Sequence, residues 1–128
     1  MKVTLKHYWP AILWALFILI ICSIKLGEVS ASPLFFPGFD KLVHCGLFFA
    51  ATVFITRGYV RTQKQPALPH NSLLIITVIA IAYGGFIEIL QHYVFTWRSG
   101  EWDDLFADII GVFMATFSIF ITAKALSK

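Results

Sequence analysis

The chain has 128 residues, 59% of them hydrophobic and only 13% charged, with a formal net charge of +3. A soluble domain carries roughly 25% charged residues. That deficit, with a mean hydropathy of +0.80, excludes an ordinary water-soluble globule and makes lipid the expected solvent.

Four apolar runs, at about 9–24, 42–59, 73–95 and 105–126, approach the roughly 20 helical residues needed to cross a bilayer core. They predict an all-α fold: a polytopic four-transmembrane-helix bundle, with 1–128 as one membrane domain and no room inside it for a separate soluble unit. Before the first run come Lys2 and Lys6, and Pro10 falls in its expected first turn. A cleaved signal peptide would fit the same pattern, with Val29-Ser30-Ala31 as its cleavage site. Leu19-Ile20-Ile21-Cys22 faintly resembles a lipobox, but Ile21 is bulky where a small residue is required. A retained first helix is therefore expected, and since it offers only Cys22 and Ser23 as polar groups, it is expected to pack peripherally. Cys22 and Cys45 fall inside spans and have no metal-type spacing, so both read as small core residues.

With the N-terminus cytoplasmic, Lys2, Lys6, Arg57, Arg61, Lys64, Lys124 and Lys128 lie inside, against Lys25, Lys41 and Arg98 outside. The positive-inside bias thus predicts a cytoplasmic (inner) membrane protein with both termini cytoplasmic. The segment 57–72 becomes a cytoplasmic loop, where Pro66 and Pro69 stop the helix and basic residues set topology. The net charge calls for no nucleic-acid partner. All the acids (Glu28, Asp40, Glu88, Glu101, Asp103, Asp104 and Asp108) then fall in outer loops or at outer helix ends.

Helical spacing sharpens that layer. The second helix opens with Asp40 and His44 four apart, on one face. In the third, Ala80, Gly84, Glu88 and His92 recur every four residues, with Gln91 three after Glu88, giving a small-then-polar stripe. An acid inside a span costs a few kcal/mol unless it faces protein or water, so Glu88 should face the bundle interior and hold a partner. Arg98, in the connection to the fourth helix, is the expected one. The fourth helix carries Asp104 and Asp108 above Gly111 and Ala115, a small-x-x-x-small packing face. Asp104 also suits an N-cap.

Asp40-Lys41-x-x-His44-x-x-x-Phe48, then Glu88-x-x-Gln91-x6-Arg98-x5-Asp104-x-x-x-Asp108-x-x-Gly111, resembles the VanZ-like membrane protein family over about residues 38–115. The family more often has Asn at the Asp108 position and Gly at the Ala115 position. The resemblance implies a site at the outer face of the membrane, where cell-envelope precursors and glycopeptide antibiotics meet. The family takes its name from a protein associated with low-level teicoplanin resistance.

Asp40, His44, Glu88, Gln91, His92, Arg98, Asp104 and Asp108 therefore form the expected polar cluster. It is read as binding a lipid-linked envelope precursor, a glycan or an amphiphilic drug such as a glycopeptide. Arg98 would serve as an anion clamp, with Trp97 and Trp102 at the interface. A purely structural ion cluster would explain the same residues. An enzyme could pair Glu88 with Asp108 as acid and base, or hold a metal through His44, Glu88, His92 and an Asp. A proton-coupled transporter would need oligomerisation to make a pathway. No nucleophile elbow, HExxH or glycine-rich phosphate loop is present. No cofactor, metal or catalytic role is assigned.

Overall fold

A computed structural model describes residues 2–24, 38–63, 67–97 and 101–128. Lys25, Glu28, the 29–31 cleavage motif, Lys64, Pro66 and Arg98 lie outside the described residues.

The protein is an all-α four-helix bundle: α1 Lys2–Ser23, α2 Phe39–Thr62, α3 His70–Tyr93 and α4 Trp102–Leu126. All four helices are long and apolar enough to cross a membrane. They alternate in direction, so the C-terminal ends of α1 and α3 share one end of the bundle with the N-terminal ends of α2 and α4. Every helix begins at least three residues before its apolar run, because polar termini continue the helix once the hydrocarbon limit is passed. Pro10 is accordingly inside α1 and not in its first turn. Its ring removes one backbone donor, yet the helix continues through it.

The outside of the bundle is apolar all round. Leu13, Phe17, Ile75, Ile79, Phe113 and Phe117 are all exposed. In water this would be a large aggregation-prone surface; against acyl chains it is the expected face of a spanning helix. The interior is narrow and is filled by Ile18, Phe48, Ala80, Ile87 and Val112, each at most 1% exposed. Hydroxyls within the spans are satisfied locally. Thr52 donates to the Phe48 carbonyl, Thr56 to Thr52, Thr77 to Leu73 and Ser118 to Met114, as a solvent without hydrogen-bonding capacity requires.

The most extensive helix contact is between α2 and α4. Gly111 makes it possible, because a Cβ there would overlap the Cys45 carbonyl. Ala115, one turn on, is fully buried. Cys22 is buried and Cys45 half-buried, and neither forms a disulfide among the described residues.

Helix α1 packs on α2 and touches α3, without reaching α4 among the described residues. It packs peripherally, as expected, yet it is held by specific hydrogen bonds. Trp14 donates its indole N–H to the Leu47 carbonyl at 2.9 Å, and Tyr83 its hydroxyl to the Ala15 carbonyl at 2.6 Å. Gln91 and Trp97 donate to the carbonyls of Cys22 and Ser23. Helix α1 is thus held by its own Trp14 side chain and, through its backbone carbonyls, by Tyr83, Gln91 and Trp97.

Candidate functional site

Two helix N-termini meet at the end where the acids gather. Asp40 lies in the first turn of α2, and Asp103 and Asp104 in the first turn of α4. There the unsatisfied N–H groups and the macrodipole favour negative charge. The N-cap of α4 is Glu101, which makes no side-chain capping bond. Asp104 is therefore not the cap expected from the sequence. It sits two residues beyond the first residue of α4, and its carboxylate is engaged elsewhere.

Its partner is Lys41. The ammonium donates to Asp104 Oδ1 at 2.6 Å, Glu101 Oε2 at 2.7 Å and Asp40 Oδ2 at 2.9 Å. One cation thus ties the start of α2 to the start of α4. The network is graded in depth: the Asp40 and Glu101 side chains are 54% and 49% exposed, whereas that of Asp104 is 7% exposed. Screening weakens the outer two pairs, so the Asp104 pair carries most of the energetic weight.

One turn deeper the site is dry. His44, three residues after Lys41 on the same face of α2, donates from Nδ1 to Asp108 Oδ1 at 2.8 Å. Its Nε2 lies 3.7 Å from Asp104 Oδ2. Asp108 is completely buried and His44 is 3% exposed. Gly84 of α3 gives Asp108 its room: a Cβ there would come within 3.2 Å of Asp108 Oδ2. Glu88, one turn along α3, is also buried, and its Oε2 accepts the Glu101 backbone N–H at 3.0 Å. His44, Glu88 and Asp108 each offer a ligand atom within 4.8 Å of the others. Two oxygens here, Glu88 Oε1 and Asp108 Oδ2, are buried with no hydrogen-bond partner among the described residues.

Of the eight residues expected to share the cluster, five meet in it: Asp40, His44, Glu88, Asp104 and Asp108. Gln91 is buried but turns toward α1, donating to the Cys22 carbonyl at 3.1 Å. His92 is exposed and stacks edge-on against Tyr93. It does not continue the stripe from Glu88, because the inward direction has passed to Gln91. The spacing of four advances 400°, a drift of about 40° per step. From Ala80 three such steps carry His92 well off the inward line. Arg98, the expected partner of Glu88, lies outside the described residues, and the contact Glu88 does make is with a backbone amide.

Two participants were missed. Lys41 is a topological charge and a motif position in the sequence reading but not a member of the expected cluster, although its place between Asp40 and His44 at a helix start is the available signal. Glu101 contributes both carboxylate and backbone N–H from a loop position where helical spacing gives no signal.

A separate cavity of about 1090 Å³ lies at the opposite end of the bundle, lined by residues including Thr56, Leu73, Phe120 and Ala123. Its lining is mostly apolar but includes Lys124, and it lies far from the acidic layer.

The fold is that of a multi-pass membrane protein with an acidic layer, partly buried, near one end of its helices. Compared with family models, curated proteins and solved structures, the chain finds no match in any of the three.

Proposed function

We propose that the chain is a VanZ-like integral membrane protein whose acidic layer binds a polar headgroup at the outer face of the cytoplasmic membrane. The ligand class is a lipid-linked cell-envelope precursor, a glycan or an amphiphilic drug of the glycopeptide type. The observation that carries this reading is the pair of buried carboxylate oxygens, Glu88 Oε1 and Asp108 Oδ2, that have no partner among the described residues. A scaffold accounts for the Lys41 network and for the His44–Asp108 bond, since buried charges demand partners. It gives no reason to bury two acceptors and leave them unused, at a cost of about 1–3 kcal/mol each. Glu88 gains nothing from helix polarity either, as it stands near the C-terminal end of α3, where the macrodipole disfavours an acid. The outer placement follows the excess of lysine and arginine at the opposite end of the helices.

Fluorescence of the reconstituted protein provides the test, because Trp97 and Trp102 lie beside the layer and are exposed. Liposomes carrying the protein are titrated with teicoplanin and, separately, with a polyprenyl-diphosphate disaccharide. Saturable binding of either is expected, weakened about tenfold or more, which is at least 1.4 kcal/mol, by Glu88→Gln and by Lys41→Gln. The exposed substitution His92→Ala should leave it unchanged. Absence of saturable binding to both probes, or equal affinity in the three variants, contradicts the reading.

A further inference from the structure

The acidic layer divides into two groups, and among the described residues only the outer one holds a lysine. Lys41 serves the outer group of Asp40, Glu101 and Asp104. No lysine or arginine among the described residues reaches the inner group of His44, Glu88 and Asp108. Yet this group is the drier, with Asp108 fully buried and Glu88 9% exposed. Two ionised carboxylates held this close in a low-dielectric interior repel one another, and either a proton on one of them or a cation between them relieves the repulsion. Their unused oxygens identify where such a cation would be held.

We propose that His44, Glu88 and Asp108 form a divalent-cation site between α2, α3 and α4, selective for a first-row ion such as Zn2+ or Mn2+. It rests on the reading of the layer as a binding site and names what the inner half of that site holds. The three ligand atoms lie within 4.8 Å of one another. Such ions hold their donors at about 2.0–2.2 Å, so small side-chain movements bring the three into range. One imidazole and two carboxylates suit Zn2+ or Mn2+ better than Ca2+ or Mg2+, which prefer oxygen alone. The surroundings also match a metal-bound histidine. With an ion on His44 Nδ1, the neutral imidazole would carry its proton on Nε2, which faces Asp104 at 3.7 Å. A carboxylate on the far ring nitrogen is the usual means of orienting a histidine ligand. Gly84 keeps the approach to Asp108 Oδ2 clear, since a side chain there would crowd that oxygen. Three protein ligands leave further coordination positions open. An ion there would present positive charge to the phosphate or carboxylate of a headgroup, so acidic side chains could recognise an anionic ligand.

The experiment uses the full-length protein purified in detergent, stripped with EDTA, desalted and titrated with ZnCl2, MnCl2 or MgCl2. Retained metal is measured by elemental analysis after gel filtration, and thermal unfolding is recorded in parallel. The expected result is one equivalent of zinc or manganese per chain, a higher Tm with either, and no magnesium retention. Glu88→Gln and Asp108→Asn should each weaken binding about tenfold or more, whereas Asp103→Asn and His92→Ala retain it. Glu88→Gln keeps an oxygen for the Glu101 amide, so it carries the test if Asp108→Asn does not fold. Folded wild-type protein that retains neither zinc nor manganese overturns the proposal. So does retention that survives Glu88→Gln and is lost with Asp40→Asn, which would put the ion in the outer group. Headgroup titrations repeated in EDTA keep the two readings apart. Binding that persists without metal, in a protein that takes up no ion, rejects the cation site and leaves the headgroup reading in place.

Discussion

Lys41 is the residue on which the outer layer turns. Its ammonium meets three carboxylates, one of them the nearly buried Asp104. Lys41→Met keeps the aliphatic length and deletes the charge, leaving Asp104 as a buried acid without its cation. The expected loss is about 2–3 kcal/mol, more than an exposed pair would cost. The double variant Lys41→Met/Asp104→Asn should lose less than the sum of the single losses, because each removes the same interaction. Additive losses in detergent unfolding would show that Lys41 and Asp104 act independently. At this scale the sequence was readable where one helix supplies both residues. Asp40 with His44, and Asp104 with Asp108, follow from a spacing of four. It was less readable where direction depends on accumulated rotation, as with Gln91 and His92. It was silent where a loop residue acts through its backbone, as Glu101 does toward Glu88.

Among the helices, α2 and α4 define the site by carrying Lys41 and His44 toward Asp104 and Asp108. Gly111 sets their separation. A Cβ at this position meets the Cys45 carbonyl, which is backbone and can yield only if a helix moves. Gly111→Ala should therefore destabilise the bundle by about 1–3 kcal/mol through overpacking and disturb the His44–Asp108 distance. Gly46 and Gly85 provide the comparison, as a Cβ at either meets nothing within 4 Å. Gly46→Ala and Gly85→Ala should be neutral or stabilise by roughly 0.5–1 kcal/mol through helix propensity. Equal effects at all three positions in thermal unfolding would remove the close approach from the account. The spans and the small-residue face of α4 were evident from composition and periodicity, since both are properties of one segment. The anchoring of α1 was not, because it depends on donors from α3, from the segment after it and from Trp14 of α1 itself meeting carbonyls that every helix possesses.

For the molecule as a whole, charge is separated along the helix axis. The described acids stand at one end, whereas Lys6, Arg57, Arg61 and Lys124 stand at the other. With the positive end cytoplasmic, single cysteines at Asp103 and Ala67, in a Cys22→Ala/Cys45→Ala background, should label oppositely in intact cells. Asp103→Cys should react with an impermeant thiol reagent and Ala67→Cys should not; the reverse pattern would invert the topology and place the acidic layer inside. The central claim is that the inner part of this layer exists to bind and not to hold the helices together. Binding sites keep polar groups that the fold alone would be better without. The most direct measurement is the Tm of Glu88→Gln against wild type, in detergent with EDTA present. The amide oxygen preserves the contact with the Glu101 N–H, so only the charge near Asp108 is removed. An equal or higher Tm is predicted. A Tm lowered by several degrees would contradict the account, because it would mean that the Glu88 carboxylate helps to hold the bundle together.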